Sequence, residues 1–477
     1  MAGRVRYLRP VSSIIVAIAT PPGEGAIGVV RFSGAGVFGL LNPFFPARDL
    51  TTARPRYAHF GLLNDADGRP IDEVVLTAYR GPASYTGEDS VEVSCHGSPY
   101  ILQRVVQLGV DAGAVPAQPG EFSQRAFLNG KLDLSQAEAV ADLIASRSAA
   151  AHRIALGQLR GGVRSEITEL RQQLIDFASL IELELDFGEE DVEFADREQL
   201  SELVARVRSR IAELTASFRL GNAIKEGIAT VIAGRPNAGK STLLNALLNE
   251  ERAIVSPVAG TTRDTIEEAV NLGGVTFRFI DTAGIREATD AIEAIGVERA
   301  LARVATSQLL VYVFDVIETD PATLAADLDR LYREDLRLLV VANKMDLNPY
   351  TTYEQYFGAA AGRAGRWTVP RDHFVPMIAS EGANLGYLTE RLRAVATDGA
   401  DLGDPNQVIL TNARHYRALT AADGALARVA DGLTSGLSQD FVAVDIRQSL
   451  RDLGEITGEI TTDDLLGNIF SNFCIGK

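Results

Sequence analysis

Cysteine is nearly absent: Cys95 and Cys474 are the only two in 477 residues. Two thiols cannot build a disulfide framework, and this usage suits a reducing compartment. The five histidines (His59, His96, His152, His373, His415) are scattered. Only Cys95 and His96 are adjacent, and no zinc-type spacing appears. Positive charge is also short. Lys and Arg total 46 against 63 Asp and Glu, a formal net charge of −17. So acidic a chain is a poor stand-alone nucleic-acid coat, because phosphate binding needs a concentrated positive field. No run of about 18 apolar residues occurs, which excludes a spanning helix. What is abundant is ordinary. With 46% hydrophobic and 23% charged residues, the composition is that of a soluble folded protein. At about 150 residues per domain, the length allows roughly three domains.

Arg4, Arg6 and Arg9 precede the apolar run Ile14–Ala19, as in a secretory leader. The run is short, however, and a second one, Ile27–Val30, follows the turn Pro21-Pro22-Gly23. This predicts strand, turn, strand. Residues 1–130 read as one α/β domain, with strands at 13–19, 26–32, 71–79 and 90–95 and a helix over 96–109. From Leu132 the composition turns to Ala, Leu, Glu, Gln and Arg with apolar residues three or four apart, which predicts long helices over 131–220. The pair Gly161-Gly162 is placed to kink or end one of them. Eight acids and no base fall within 182–196, either a solvated connection or a docking surface for a basic partner. Residues 221–400 return to a β-α-β pattern, with apolar strands near 228–233, 275–281, 309–315 and 336–342, as in a covered parallel sheet. Helices resume over 401–477. The economical organisation is a discontinuous helical domain carrying an inserted P-loop domain.

The chemistry is densest at Gly234-Arg-Pro-Asn-Ala-Gly-Lys-Ser241, a phosphate-binding loop between a predicted strand and a predicted helix, Lys240–Asn249. In such a loop the backbone of Asn237, Ala238 and Gly239 wraps the phosphates at a helix N-terminus, with Thr242 following in the same turn. Lys240 neutralises the β- and γ-phosphates and Ser241 ligates Mg²⁺. Asp281-Thr282-Ala283-Gly284 ends a strand, where Asp holds Mg²⁺ through water and Gly senses the γ-phosphate. Asn343-Lys344-Met345-Asp346 ends another. Its Asp can accept from guanine N1–H and the exocyclic amine, a donor pair that adenine lacks, so the motif selects GTP. Thr261 or Thr262 is the switch threonine that closes over Mg²⁺. The hydrolytic residue is open on spacing alone. The position after Gly284 is Ile285, which cannot orient water, and Glu287 and Glu293 both follow. The guanine-closing pair falls at Ala379-Ser380. The terminal Phe473-Cys-Ile-Gly-Lys477 places Cys474 fourth from the end of the given sequence, but Gly476-Lys477 does not suit a prenylation box.

Taken together, Ala19-Thr-Pro-Pro-Gly23, Gly28-Val-Val-Arg-Phe-Ser-Gly34, Ser84-Tyr-Thr-Gly-Glu-Asp89, Cys95-His-Gly97, Gly120-Glu-Phe122, Arg125-Ala-Phe-Leu-Asn-Gly-Lys-Leu-Asp133, Gly260-Thr-Thr-Arg-Asp264 and the terminal Phe-Cys-Ile-Gly-Lys resemble the MnmE (TrmE) family of tRNA modification GTPases across essentially the whole chain. The resemblance implies an N-terminal tetrahydrofolate-binding-like α/β domain that makes a homodimer and binds 5-formyl-tetrahydrofolate or a related one-carbon folate. Arg31, Glu92, Lys131 and Lys477 match its folate contacts. It implies a Ras-like GTPase domain in which K⁺ binds at Asn237, Ser256, Val258 and Thr261, Mg²⁺ at Ser241 and Thr262, and the catalytic glutamate is Glu293. It further implies a partner, the flavoprotein MnmG, with which the chain adds a carboxymethylaminomethyl or aminomethyl group to the tRNA wobble uridine in the cytoplasm. Cys474 then becomes a candidate catalytic thiol. The alternatives are a ribosome-assembly switch GTPase, which would need a basic RNA-binding appendage not evident after residue 400, and a folate sensor that only regulates the GTPase.

Overall fold

The computed structural model describes residues 13–186, 197–250, 268–280, 304–358, 367–400, 407–435 and 437–476. By contact the chain divides into two compact units. Unit 1 takes residues 1–144, 156–212 and 414–477; unit 2 takes 145–155 and 213–413.

Unit 1 holds a six-stranded sheet: β1 (Ile15–Ile18), β2 (Gly25–Ser33), β3 (Ala58–Asn64), β4 (Pro70–Tyr79), β5 (Ser90–Gly97) and β6 (Val115–Pro116). The spatial order is β3-β4-β5-β2-β1-β6. Neighbours are antiparallel except β1 and β6. The strand-turn-strand expectation over 14–30 is met by β1 and β2. Alternation along β2 sends Val30 and Phe32 into the core and leaves Arg31 half-buried on the opposite face. Val30 and Phe32 join Leu76, Val91 and Val93 under the helix Pro99–Asp111, whose Leu102, Val105 and Leu108 complete the layer. β3 is not evident from the sequence. It is an edge strand whose Phe60 and Leu62 are exposed, and its sequence, Ala-His-Phe-Gly-Leu-Leu-Asn, contains no β-branched residue.

The helices Leu134–Ala145, Gly162–Asp186, Arg197–Glu226, Ala413–Ser435, Gln439–Thr457 and Asp463–Phe470 follow the apolar periodicity. Gly161, at φ 94°, separates Ala149–Leu159 from Gly162–Asp186, as the paired glycines predict. Within unit 1 the helices Gly162–Asp186 and Gln439–Thr457 pack against each other. A buried ionic group also joins distant segments of this unit. Glu138 accepts from Arg414 Nε at 2.9 Å and Nη2 at 2.8 Å, and His415 Nε2 lies 2.8 Å from the same carboxylate. Burial alone would push the Glu138 carboxyl up, but His415 and Arg414 hold it down at about 2.

Unit 2 is built on β7 (Ile228–Ala233), β8 (Glu268–Leu272), β9 (Val275–Phe279), β10 (Leu309–Asp315), β11 (Arg337–Asn343) and β12 (Phe374–Pro376), in the order β12-β11-β10-β7-β9-β8. The four strands expected from the sequence, β7, β9, β10 and β11, are parallel as predicted, and the structure adds β8 and β12 at the edges. β8 and β9 form an antiparallel hairpin across Gly273-Gly274, so the sheet is mixed. β7, β10 and β11 are buried almost throughout, whereas β9 and the edge strand β8 are only partly buried. Among the described residues, no helix is long and apolar enough to cross a membrane.

Candidate functional site

The carboxyl ends of β7, β10 and β11 lie side by side in unit 2, the edge where open α/β sheets bind ligands. The loop from Gly234 to Lys240 leaves the end of β7 and enters the helix Lys240–Glu250, the context that the phosphate-loop pattern demands. The loop is pressed onto its neighbours. A Cβ on Gly234, at φ 149°, would fall 2.0 Å from the carbonyl oxygen of Val313 on β10, so only glycine fits there. Asn237 is exposed and adopts φ 59°, while Ala238 is buried. Lys240 donates from Nζ to the Arg235 carbonyl at 2.7 Å. Burial lowers the pKa of its ammonium, so a neighbouring anion would relieve an existing desolvation penalty. Ser241 is half-buried and Thr242 exposed in the first helical turn.

Asn343 is buried and ties two loops together. Its Nδ2 donates to the Ala238 carbonyl at 2.8 Å and its Oδ1 accepts from Ala379 N–H at 3.0 Å. Ala379 therefore buttresses the site through Asn343, while Ser380 next to it is exposed. Lys344, at φ 65°, pairs with Asp315 at 2.6 Å. Burial would raise the Asp315 carboxyl, but Lys344 and the Ile317 N–H hold it below the ordinary carboxylate range. Asp346 is left exposed two residues on. The sequence reading missed Asp315. Its signal was available, because it is an acid at the carboxyl end of a buried strand.

A second cluster lies in unit 1. Arg31 on β2 stands directly opposite Glu92 on β5 in the strand register. The pair meets through Arg31 Nε at 3.0 Å and Nη2 at 2.8 Å, both on Glu92 Oε1. Tyr79 donates its hydroxyl to Oε2 at 3.3 Å. The guanidinium carbon sits 5.3 Å from the Tyr85 ring centre and 5.7 Å from that of Phe122. Arg31 Nη1 also reaches the Gly476 carbonyl at 3.5 Å. Gly476, at φ 94°, is so close to β1 that a Cβ would fall 2.3 Å from the Ile18 carbonyl oxygen. The segment carrying Cys474 is further held by Gly120 N–H, which donates to the Cys474 carbonyl at 3.4 Å, and the Cys474 residue is exposed. Lys131 packs beside Gly87, in the loop that supplies Tyr85. Cys95, by contrast, is buried, and burial pushes its thiol up to about 11.

Two family models divide the chain at nearly the same residue: one described as "GTP-binding protein TrmE N-terminus" matches 14–131, and one described as "MnmE helical domain" matches 134–474. A protein of Cytophaga hutchinsonii called tRNA modification GTPase MnmE is 50% identical over 466 residues, covering 97% of both chains. The proteins of the same name from Christiangramia forsetii and Flavobacterium johnsoniae are 47% and 46% identical, each over 97% of this chain and 99% of the relative. The chain belongs to the MnmE family of tRNA modification GTPases.

Of the residues that the MnmE resemblance singles out, the structure brings Asn237, Ala238, Gly239, Lys240, Ser241, Thr242, Asn343 and Ala379 into one loop cluster. It brings Arg31, Glu92 and the segment of Cys474 into another. Ser256, Val258, Thr261, Thr262, Asp281, Thr282, Ala283, Gly284, Glu287, Glu293 and Lys477 lie outside the described residues.

Proposed function

We propose that this MnmE-family GTPase is K⁺-dependent and that, with the flavoprotein MnmG, it adds a carboxymethylaminomethyl or aminomethyl group to C5 of the tRNA wobble uridine. The observation that carries the nucleotide half is the parked Lys240 ammonium. It is desolvated and held at the mouth of a glycine loop that runs from strand into helix. GTP binding would place the β- and γ-phosphates on Lys240 and the helix N-terminus, with the exposed Asp346 carboxylate receiving the guanine donors. The exposed Asn237 offers a neutral amide oxygen, which suits a weakly charged cation, and Ser241 suits Mg²⁺. Ser256, Val258 and Thr261 would complete the K⁺ set and Thr262 the Mg²⁺ set. Bound there, K⁺ would offset charge between the β- and γ-phosphates as an arginine finger does elsewhere. Glu293 orients the attacking water.

In unit 1, Glu92 is held by Arg31 and Tyr79 and presents a carboxylate for the N–H groups of a pterin. Lys131 and Lys477 suit the folate glutamate carboxylates. A homodimer through the N-terminal domain, pairing of two GTPase domains, a heterotetramer with MnmG and a cytoplasmic location complete the proposal. Cys474 serves as a thiol near the one-carbon donor. The net charge of −17 fits a division of labour in which MnmG supplies much of the tRNA contact.

The test is GTP turnover by the purified chain in KCl against NaCl at equal ionic strength, with Glu293→Ala alongside. Turnover that needs K⁺ and is lost in the variant supports the mechanism. Equal rates in both salts would remove Asn237 from the cation site. Normal wobble-uridine modification by Cys474→Ser, with MnmG present, would remove the catalytic thiol.

A further inference from the structure

Arg235 is the second residue of the phosphate loop, and its long cationic side chain is committed elsewhere. Its Nε donates to Asp327 Oδ2 at 2.7 Å and its Nη2 to Oδ1 at 3.3 Å. Asp327 lies on the helix Pro321–Leu331 that follows β10, and its side chain is only 14% exposed. The same Oδ2 accepts the hydroxyl of Tyr312 at 2.6 Å. Tyr312 is on β10 and fully buried, so the hydroxyl is fixed by core packing rather than by a mobile chain. Burial would raise the Asp327 carboxyl, but Arg235 and Tyr312 bring it below the ordinary range. Tyr312 is itself pushed up by burial and by its bond to the carboxylate. Both oxygens of Asp327 therefore hold the loop in a forked geometry.

This arrangement bears on Lys240. Its ammonium rests on the carbonyl of Arg235, the residue whose side chain Asp327 grips. On the other side of the loop, Asn343 holds the Ala238 carbonyl at 2.8 Å. The loop is thus pinned at two of its residues, with the lysine donating to one of them. An ammonium has three N–H donors. With one satisfied by the Arg235 carbonyl, two are left over for phosphate oxygens. Loss of the Asp327 fork would let Arg235 and its carbonyl drift, and the lysine would be held less well before the nucleotide arrives.

We propose that Asp327, fixed by the Tyr312 hydroxyl, is a positioning residue for nucleotide binding, acting through Arg235 on the Lys240 ammonium. The proposal rests on the GTPase reading above. It also accounts for an arginine beside the phosphates that does not serve as an arginine finger: its guanidinium already belongs to Asp327.

The test uses the full chain and a fluorescent GDP and non-hydrolysable GTP analogue in Mg²⁺, with wild type, Asp327→Asn, Asp327→Glu and Tyr312→Phe. Asp327→Asn should weaken both nucleotides about tenfold, the scale of one lost charge-assisted hydrogen bond. At saturating GTP its kcat should stay within about twofold of wild type, because the effect is on binding and not on the chemical step. Asp327→Glu should recover much of the affinity, and Tyr312→Phe, which keeps the ring packing, should fall between. Should Asp327→Asn fail to fold, Tyr312→Phe carries the test alone. A lowered Tm with unchanged nucleotide affinity in either variant would make the fork a structural tether and overturn the proposal. A wild-type chain that binds neither nucleotide would overturn the GTPase reading and this inference with it.

Discussion

In unit 2, the residues from Gly234 to Ser241 make the nucleotide loop within one short stretch of chain. In unit 1, Arg31 meets Glu92 across 61 residues and Gly476 across 445. The Glu138 carboxylate meets His415 across 277. Both units hold charged groups ready, but they position them differently. The loop is shaped by the dihedral angles of neighbouring residues, and side chains from β11 and from the helix Pro321–Leu331 brace it. The Arg31 cluster has no local shape of its own. It exists because strand register sets Arg31 opposite Glu92 and because a remote segment lies down on β1. Damage to the loop should therefore be confined to chemistry, while damage to the long-range contacts should reach the folding of the unit.

The sharpest way to break that contrast is Glu138→Ala. It strands Arg414 and His415 in a buried site, which typically costs about 3–5 kcal/mol. Urea unfolding should show the loss in unit 1, with the nucleotide affinity of the folded fraction unchanged. The same carboxylate sets a pH window. Its folded value is about 2 against an ordinary 4.5, so its contribution is present above about 4.5 and is lost as pH falls towards 2. Acid titration of Glu138→Gln should lack that component of the transition. Next in size is Lys240→Ala, expected to weaken GTP about 100-fold through loss of the ammonium–phosphate contacts. Its unfolding curve should stay close to wild type, and a large loss of stability would show that the loop is not a separable local device. Smaller is Arg31→Ala, expected to weaken 5-formyl-tetrahydrofolate about tenfold by freeing the Glu92 carboxylate from the guanidinium that holds its Oε1. Calorimetry would measure it, with GTP turnover as the control. The smallest expected effect is Gly476→Ala, which should weaken the folate a few-fold by lifting the segment off Ile18.

The same contrast explains what could be read before any coordinates. β7, β10 and the helix after the phosphate loop are legible because uninterrupted apolar runs and a fixed motif are properties of adjacent residues. The hairpin partner β8 is not, since only Val270 and Leu272 of its five residues are buried. The Asn343 amide could be assigned to a nucleotide motif, but not its two backbone partners, which belong to loops more than thirty residues away in either direction. Arg31 and Glu92 were nameable only through family resemblance. The alternation of β2 and β5 forbids a one-residue slip, but a two-residue slip keeps the same faces and would part Arg31 from Glu92, so the alternation alone does not report that pairing.

The docking of Gly476 against Ile18 has a consequence for the order in which the protein can be made. Every residue of unit 2 has been polymerised once position 413 is reached, so its sheet can close while synthesis continues. Unit 1 cannot. Its first described strand, β1, is made before any of unit 2, yet the partners of Glu138 arrive only at 414 and 415, and the cover on Ile18 only at 476. A nascent chain stalled before residue 414 should resist protease through unit 2 while its amino-terminal portion is still cut. Of these contacts, the one that waits longest is that of Ile18 on β1, with Arg31 on the neighbouring β2 close behind.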